Sequence, residues 1–523
     1  MDKLKFSNLT ENYIQNIQKD FSHYLGFQSL QCYSPIYCNY LDITNKPDHN
    51  YIMKNKYIIK KILEPPVTDS DDEIKKDGYI KYFIKAGVLN QYSNKEIERD
   101  IFIKFSPLID VIQYVLNEYN TNHDILLPNY HQSRLTEKIN NFQNAAYIDA
   151  FFTFLGSKMT ESGKAPTFPV FYGSFSGIAD TYKHDITDDY SQIKFHNNFQ
   201  RNKNILFELV EHDMDESELS SIEDDVDLND IPLDESILGL EELNLDMELS
   251  PILDTRIDGN NLFELKEIVN IDENYMFDDI IDNNNNTYKY CKLKKFPVQA
   301  ICMEKLKMTL DELIEDDEYD ITTCEWKSIL FQICFGLAVA QKTFKFVHND
   351  LHSANIMFQN TEDEFLYYQI DSLYYKLPLY GKITKIIDYG RATFEHDNII
   401  YFSDVFDEDG DADGQYDYPE GNSLSDCKIK PNPSFDLARL SSTIIEHFTP
   451  DNKLYGLLKT WITDKHGYFL YNDEDDFDMY RNIAKDVKNA IPIKQLKKKI
   501  FNQFKINKNT IPKNTYIYQI TTK

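Results

Sequence analysis

The sequence is poor in the features that mark secreted, metal-binding and membrane proteins. Its 523 residues include seven cysteines, none of them in a Cys-x-x-Cys pair. The longest nearly uncharged stretch, residues 329–340, is about half of what a bilayer span requires. Basic residues are outnumbered, with 55 Lys and Arg against 86 Asp and Glu and a formal charge of −31. The scattered cysteines predict no disulfide framework and no zinc site. We also expect no membrane association and no nucleic-acid partner, because an acidic field repels phosphates and anionic lipid.

The same composition favours a folded protein in a reducing, cytoplasmic compartment with basic proteins as partners. Apolar residues make up 42% of the chain, and its length allows roughly two to four domains. Strand-like runs cover 57–63, 79–88, 100–105 and 168–178, and helix-like spacing covers 108–119, 139–158 and 323–343.

An acidic segment interrupts this pattern. Residues 211–250 contain sixteen acidic residues and no Lys or Arg, which favours a solvated insertion. It could be an inert surface loop or a tether for a basic partner.

Two short motifs carry the chemical information. FVHNDLHSANIMF, residues 346–358, fits the pattern H-x-D-L-x-x-x-N through His348, Asp350, Leu351 and Asn355. KITKIIDYGRATF follows it, an apolar strand that ends in Asp-Tyr-Gly at 388–390. This order of motifs is typical of the catalytic and metal-binding loops of phosphoryl-transfer enzymes.

The residue types suit that reaction. Phosphoryl transfer from ATP depends on in-line positioning and on neutralisation of charge. Asp350 can accept the proton of a substrate hydroxyl, and we expect His348 to brace the loop. Asn355 and Asp388 offer the hard oxygen ligands that Mg²⁺ prefers. ATP and Mg²⁺ are therefore the expected cofactors.

The C-terminal half resembles the eukaryotic protein-kinase superfamily, and most closely its haspin-type branch. The resemblance rests on HNDLH, the insert between residues 359 and 382, IIDYG, FSDVFDEDGD and SFDLARL. It implies an α+β, bilobal kinase-like fold with a β-rich N-lobe and a mainly helical C-lobe. We expect an N-terminal extension at 1–50, an N-lobe at 51–305 and a C-lobe at 306–523 with a helical tail from Lys453.

The composition and the segment IFIKFSPL also resemble kinases of large nucleocytoplasmic DNA viruses, which would place the protein in a host cytoplasm or a virion. The kinase resemblance further implies that Lys104 holds the α- and β-phosphates of ATP. Its acidic partner would be Asp149, with Glu137 as the alternative.

The resemblance also assigns residues to the adenine site and to the support of the catalytic loop. Met303 would be the gatekeeper, and the Glu304 carbonyl and Leu306 amide would meet the adenine edge. Asp436 would hold the catalytic loop from a supporting helix.

The sequence departs from the kinase pattern at several points. No G-x-G-x-x-G precedes Lys104, so the loop over the phosphates must be built differently. His352 stands where many protein kinases have Lys, and it is shared with haspin-like kinases and with small-molecule phosphotransferases, so it does not separate these substrate classes. No A-P-E follows the Asp-Tyr-Gly motif, and we expect activity without activation-loop phosphorylation.

An additional motif runs from Asp409 to Glu420 and matches the D-x-D-x-D-G-x₅-E calcium loop. It could bind calcium, form an acidic patch that receives a basic substrate, or be a solvated loop. Flanking residues that do not look helical, and Pro419 near its end, argue against an EF-hand.

The sequence thus predicts a serine/threonine protein kinase that acts on basic proteins. A small-molecule phosphotransferase of the aminoglycoside- or choline-kinase type and a pseudokinase scaffold are the alternatives. The preference between Ser and Thr and the oligomeric state stay open.

Overall fold

The computed structural model describes most of the chain. It covers residues 3–41, 50–68, 82–119, 127–128, 134–213, 287–408, 410–416, 431–472 and 476–522. The acidic segment 211–250 lies outside these residues apart from its first three positions. Residues 69–81, which precede β6, lie outside them too.

The first lobe is built on an antiparallel sheet. Its strands are β1 Phe6–Asn8, β2 Phe27–Gln31, β3 Tyr51–Met53, β4 Tyr57–Ile62, β5 Val67–Thr68, β6 Tyr82–Asn90, β7 Lys95–Pro107, β8 Phe171–Asp185, β9 Phe207–Asp213 and β10 Thr287–Glu304. The main sheet has the order β2-β8-β10-β7-β6-β4, with β5 on β6 and β9 on β10. In β7, Ile101, Ile103 and Phe105 are buried and alternate with the half-buried Phe102 and Lys104. This alternation turns Lys104 away from the packed face.

The helices of the first lobe are α1 Glu11–Leu25, α2 Val111–Val115, α3 Arg134–Asn140, α4 Ala145–Glu161, α5 Thr187–Ile193 and α6 Asn197–Asn202. Helix α4 starts at residue 145 rather than 139 because the Asn144 side chain accepts a hydrogen bond from Ala146 N and caps the helix there. The helix predicted at 108–119 is limited to the five residues of α2, which Asp110 caps.

Residues 27–31 of the expected N-terminal extension belong to the main sheet as strand β2, whereas β1 pairs with β3 in a separate two-stranded sheet. Strand β2 pairs with β8, and the ring of Phe21 on α1 lies 5.6 Å from the rings of both Phe27 and Phe175. Gly26 joins α1 to β2 with a φ of 58°, which favours glycine. Strand β2 therefore lies within the first lobe, and the domain bounds 1–50, 51–305 and 306–523 stay predictions.

The second lobe is mainly helical. Its helices are α7 Leu310–Ile314, α8 Thr323–Phe344, α9 Phe435–Ile444, α10 Lys453–Trp461, α11 Asp476–Asp486 and α12 Pro492–Gln495. Its strands are β11 Ile356–Asn360, β12 Phe365–Ile370, β13 Leu373–Pro378, β14 Lys382–Ile386, β15 Thr393–His396, β16 Ile399–Phe402, β17 Lys505–Ile506 and β18 Ile517–Ile520. The predicted α+β, bilobal architecture is present, with a strand-built first lobe and a helical second lobe. None of the helices in the described ranges is long and apolar enough to cross a membrane.

We predicted a helical tail from Lys453, but this part of the chain is not helical throughout. Strands β12 and β13 form a hairpin. Strand β18 pairs with β12 and β17 pairs with β13, which gives a four-stranded sheet. Pro492 and Pro512 interrupt helix formation in the basic tail. Ile517, Tyr518 and Ile520 are residue types that favour a strand over a helix. The hairpin edges supply the hydrogen-bonding partners that a local helix prediction cannot anticipate.

Phe331 of α8 links this sheet to the core of the second lobe. Its ring centroid lies 5.2–5.3 Å from those of Tyr368, Tyr375 and Phe501. We expect Phe331→Ala to lower the free energy of unfolding by about 3–5 kcal/mol, because it leaves a cavity among these rings. Chemical denaturation measures the change. Ile205→Ala, at a side chain 76% exposed, is the control and should change stability by less than about 0.5 kcal/mol. A similarly small loss for Phe331→Ala would contradict the packing.

Candidate active site

Lys104 sits between two carboxylates that come from distant parts of the chain. Its Nζ lies 2.8 Å from Asp149 Oδ2 and 2.8 Å from Asp388 Oδ1. Strand β7 supplies the lysine, α4 supplies Asp149, and the segment after β14 supplies Asp388. Glu137, the alternative partner, is an exposed residue of α3, and the ion pair to Lys104 is made by Asp149.

Asp149 also holds the Asp-Tyr-Gly segment in place. Its Oδ1 accepts a hydrogen bond from Tyr389 N at 3.0 Å. Asp388 has a φ of 61°, in the left-handed region that is uncommon for a non-glycine residue. One carboxylate thus orients both the lysine and the backbone beside the second carboxylate.

The three charges affect one another strongly. Burial disfavours an ionised Asp388, but the Lys104 ammonium outweighs this effect and lowers the pKa of Asp388 to about 2. Asp149 is 3% exposed, and burial raises its pKa although Lys104 opposes the change. Burial likewise disfavours a charged Lys104, yet the two carboxylates raise its pKa. Asp388 is therefore ionised at neutral pH beside a charged lysine.

Tyr389 fills the space between α4 and the catalytic loop. Its ring is buried, with its centroid 4.9 Å from that of Phe152 and 5.7 Å from that of His348. The phenol donates a hydrogen bond to Ile386 O, so a hydroxyl is accommodated in this apolar site.

The catalytic loop is anchored from below by Asp436 of α9. Asp436 Oδ1 accepts hydrogen bonds from His348 N at 2.9 Å and from Asn349 N at 3.1 Å. His348 Nε2 lies 2.8 Å from Ile387 O, which ties this loop to the Asp-Tyr-Gly segment. Burial lowers the pKa of His348, which favours a neutral imidazole in a bracing position.

Asp350 faces two residues that the sequence did not indicate. Its Oδ1 accepts a hydrogen bond from the Tyr480 hydroxyl at 2.6 Å, and its Oδ2 lies 3.8 Å from Arg391 Nε. Burial disfavours the charge on Arg391, but Asp350 and, to a smaller extent, Tyr480 and Asp411 raise its pKa. Arg391 could have been suspected, because it follows the Asp-Tyr-Gly motif directly. Tyr480 is distant in sequence and carries no motif.

Asn355 is oriented by its amide nitrogen. Nδ2 donates to Asp350 O at 2.9 Å and lies 2.9 Å from His352 Nε2. Burial lowers the pKa of His352, so its imidazole is neutral and Nε2 can accept this hydrogen bond. The amide oxygen is then the atom of Asn355 that is suited to bind a cation.

The two lobes join at the end of β10. Glu304 N donates to Val170 O at 2.8 Å, and Glu304 Oε2 accepts from Val170 N at 3.1 Å. The same carboxylate lies 3.4 Å from Nζ of Lys385, which is 2% exposed. Met303 and Leu306 are buried on either side of Glu304. The adenine contacts of Glu304 and Leu306 stay predictions, and Lys385 was missed because a lone lysine inside a strand carries no signal.

A cavity of about 260 Å³ lies where α2, α4 and the segment after β16 meet. Its lining includes one lysine and five acidic residues: Lys138, Asp110, Asp404, Asp407, Glu408 and Asp411. Lys138 Nζ pairs with Asp404 Oδ2 at 2.8 Å. Burial raises the pKa values of Asp110, Asp404 and Asp407, and Lys138 opposes this change in all three.

The calcium motif falls partly outside the described residues, since Asp409 and Glu420 are not among them. Within the described ranges, no group of three or more His, Cys, Asp or Glu residues is arranged to hold a metal ion. The calcium interpretation therefore gains no support from the structure.

Comparison with known proteins bears on the family. No family model matches the sequence. Over 92 residues, 18% of this chain, it is 37% identical to the serine/threonine-protein kinase haspin of Mus musculus and equally identical to that of Bos taurus. The haspin-like resemblance is confirmed. The haspin-like match spans only 12% of each of these relatives. A solved kinase domain matches at 15% identity with a TM-score of 0.17, covering 38% of this chain and 64% of that one, and it carries no argument.

The Asp436 anchor of the catalytic loop leads to a prediction about pH. Burial raises the pKa of Asp436 from an ordinary value of 3.8 to about 7, against the two backbone hydrogen bonds that lower it. Between about pH 4 and 7 the unfolded chain has lost this proton while the folded chain retains it, so the contribution of Asp436 to stability falls as pH rises. Asp436→Asn keeps an oxygen acceptor and cannot ionise. We expect the stability of the wild type relative to Asp436→Asn to decline across this window.

Melting temperatures at pH 5, 6, 7 and 8 test this expectation. Asp317→Asn, at an exposed carboxylate of the same lobe, is the matched control and should show no such trend. A difference between wild type and Asp436→Asn that does not vary with pH would contradict an Asp436 pKa near 7.

Proposed function

We propose that this protein is a protein kinase that transfers the γ-phosphate of ATP to serine or threonine hydroxyls. The observation that carries the proposal is Lys104, held at 2.8 Å from both Asp149 and Asp388 beside the catalytic loop. A lysine paired with a helix carboxylate and adjacent to a metal-binding aspartate is the arrangement that protein kinases require for activity. The haspin relatives, which are named serine/threonine-protein kinases, support the same reaction.

The residues present fit Mg²⁺. Asp388 is ionised at neutral pH, and the amide nitrogen of Asn355 is held by Asp350 O and His352, which leaves the amide oxygen for a cation. Both groups are the hard oxygen ligands that Mg²⁺ selects. When bound, the ion would neutralise the charge of the ATP phosphates. Lys104 would orient the α- and β-phosphates.

Asp350 would accept the proton of the attacking hydroxyl. Its carboxylate is partly exposed, so a substrate can reach it. Arg391 lies beside it and supplies a positive charge that His352, being neutral, does not. We expect Arg391 to stabilise negative charge on the transferring phosphoryl group.

Basic protein segments are the favoured substrates. The acidic cavity lined by Asp404, Asp407 and Asp411 lies on the segment that follows the Asp-Tyr-Gly motif. Asp411 contributes to raising the pKa of Arg391, so its field extends to the catalytic centre. Basic residues that flank a substrate hydroxyl would be attracted there.

His352 is also compatible with a second candidate, a small-molecule phosphotransferase, because the same His-x-Asp-Leu-His pattern occurs in such enzymes. A screen of aminoglycosides and choline beside basic proteins separates the two. A pseudokinase would fail to transfer phosphate to any acceptor, even if Mg·ATP raised its melting temperature.

Asp350→Asn tests the assignment of the base. We expect it to reduce phosphate transfer to a basic protein by at least about 100-fold, because proton acceptance by a positioned carboxylate contributes that much. Radiolabel transfer from ATP measures the effect. The shift of melting temperature caused by Mg·ATP should persist, since Asp350 is not assigned to nucleotide binding.

Two further variants help to interpret the result for Asp350→Asn. Asp317→Asn makes the same chemical change at an exposed site and should transfer phosphate normally. Lys104→Met should lose the Mg·ATP shift as well as transfer. Undiminished turnover by Asp350→Asn would refute the assignment.

The hydrogen bonds of Asn349 lead to a prediction about whether phosphorylation regulates the transfer rate. It occupies the position of the arginine in H-R-D, so a neutral amide stands here in place of a guanidinium. Its side chain is buried, donates to Arg391 O at 2.8 Å and accepts a hydrogen bond from Tyr416. These neutral hydrogen bonds tie the segment after Asp-Tyr-Gly to the catalytic loop without a phosphate. Phosphatase-treated protein should therefore retain its full transfer rate, and loss of activity on treatment would contradict this mode of fixation.

A further inference from the structure

A hydrogen-bonded chain leads from α9 through α11 to the catalytic carboxylate. Arg439 Nε donates to the Tyr480 hydroxyl at 2.7 Å, and this hydroxyl donates to Asp350 Oδ1 at 2.6 Å. Burial, followed by the Asp350 charge, raises the pKa of Tyr480 to about 12. The phenol is thus protonated at neutral pH and acts as the donor to Asp350.

Tyr480 packs against two residues of α9. Its ring centroid lies 5.8 Å from that of Phe435, and the Arg439 guanidinium lies 4.9 Å from the ring. The end of α11 is fixed because the buried Asn432 side chain donates to Ile483 O and Val487 O. A hydroxyl on so rigid a support defines a position for its partner.

The remaining neighbours of Asp350 do not fix its carboxylate in this way. Asn355 directs its amide nitrogen to the backbone oxygen of Asp350 and to His352. Arg391 Nε lies 3.8 Å from Oδ2, which is too far for a hydrogen bond. In the part of the chain that the structure describes, Tyr480 is the residue that donates a hydrogen bond to this carboxylate.

We propose that Tyr480, oriented by Arg439, is a positioning residue that fixes the Asp350 carboxylate through Oδ1 and leaves Oδ2 to accept the proton of the substrate hydroxyl. This inference rests on the proposed kinase function. In the step it serves, the substrate oxygen bonds to the γ-phosphorus as the bond from that phosphorus to the β–γ bridging oxygen breaks. The hydroxyl proton goes to Oδ2 of Asp350, and ADP leaves with the electron pair.

Tyr480→Phe removes the hydroxyl and retains the ring. Since a hydrogen bond to a charged group is lost, we expect kcat for transfer to a basic protein to fall about 10- to 100-fold. KM for ATP should change less than about twofold, because Tyr480 is not assigned to nucleotide binding. Arg439→Lys keeps the charge and should cause a smaller loss of kcat than Arg439→Ala. Tyr92→Phe, at an exposed tyrosine of the first lobe, is the matched control and should leave kcat unchanged.

A second measurement tests the contact itself without turnover. Melting temperatures of Tyr480→Phe, Asp350→Ala and the double variant form a cycle. If the two side chains are bonded, Tyr480→Phe should lower the melting temperature by at least twice as much in the wild-type background as in Asp350→Ala. Additive shifts would show that the contact is not made and would overturn the inference.

The two measurements separate failure of the inference from failure of the proposed function. An unchanged kcat for Tyr480→Phe, in a wild type that transfers phosphate, would overturn the positioning role alone. An increased kcat would do the same and would show instead that Tyr480 blocks the base. Coupled melting temperatures in a wild type that transfers no phosphate to any acceptor would refute the kinase function, and the positioning role would fall with it.

Discussion

The ionic contact of Lys104 with Asp149 and Asp388 is the constraint on which the site depends. It joins a strand, a helix and a loop that are far apart in sequence, and it does so around a lysine that is three-quarters buried. Removal of one partner from such a group typically costs about 3–5 kcal/mol, because a buried charge is left unpaired. The position of α4 against the sheet and the conformation of the Asp-Tyr-Gly segment are therefore set together, with Tyr389 packed between them.

The second lobe applies the same principle to the catalytic loop without opposite charges. One carboxylate oxygen of Asp436 gathers two successive backbone N–H groups, and His348 connects this loop to the strand that leads into Asp388. The side chains of Asp350 and Asn355 thus project from a backbone that is held at several points. Such pre-organisation lets a site act without reorganising during the reaction.

Much of this arrangement could be predicted from local sequence. The catalytic and Asp-Tyr-Gly motifs lie on short segments whose residue types follow from their chemistry. The ion pair of Lys104 with Asp149 was implied by the kinase resemblance, with Glu137 as the alternative. Apolar periodicity located α8 to within one residue and the central parts of β7 and β8, although β7 starts five residues earlier and β8 ends seven residues later than predicted. The ends of α4 and α2 were less accurate, because single capping residues, Asn144 and Asp110, decide where those helices begin.

The parts that could not be predicted depend on contacts between distant segments. Tyr480 lies 130 positions from Asp350, and no residue type or spacing marks it. Strand β2 was not predicted, because it is a short edge strand and has no periodic signal. The basic residues of the C-terminal tail fit a helix face, and this pattern predicts a helix. The structure of the tail is instead determined by the open edges of the β12–β13 hairpin, with which β17 and β18 pair.

The late pairing of β18 with β12 affects how the protein folds during synthesis. Strand β18 runs parallel to β12 and pairs Tyr367 with Ile517, about 150 residues later, across a loop whose closure is entropically costly. During synthesis the hairpin leaves the ribosome with both edges unpaired, and they stay unpaired until β17 and β18 have been made. Non-local strand pairing of this kind is slow. The interval before closure is when the nascent chain is most exposed to edge-to-edge aggregation.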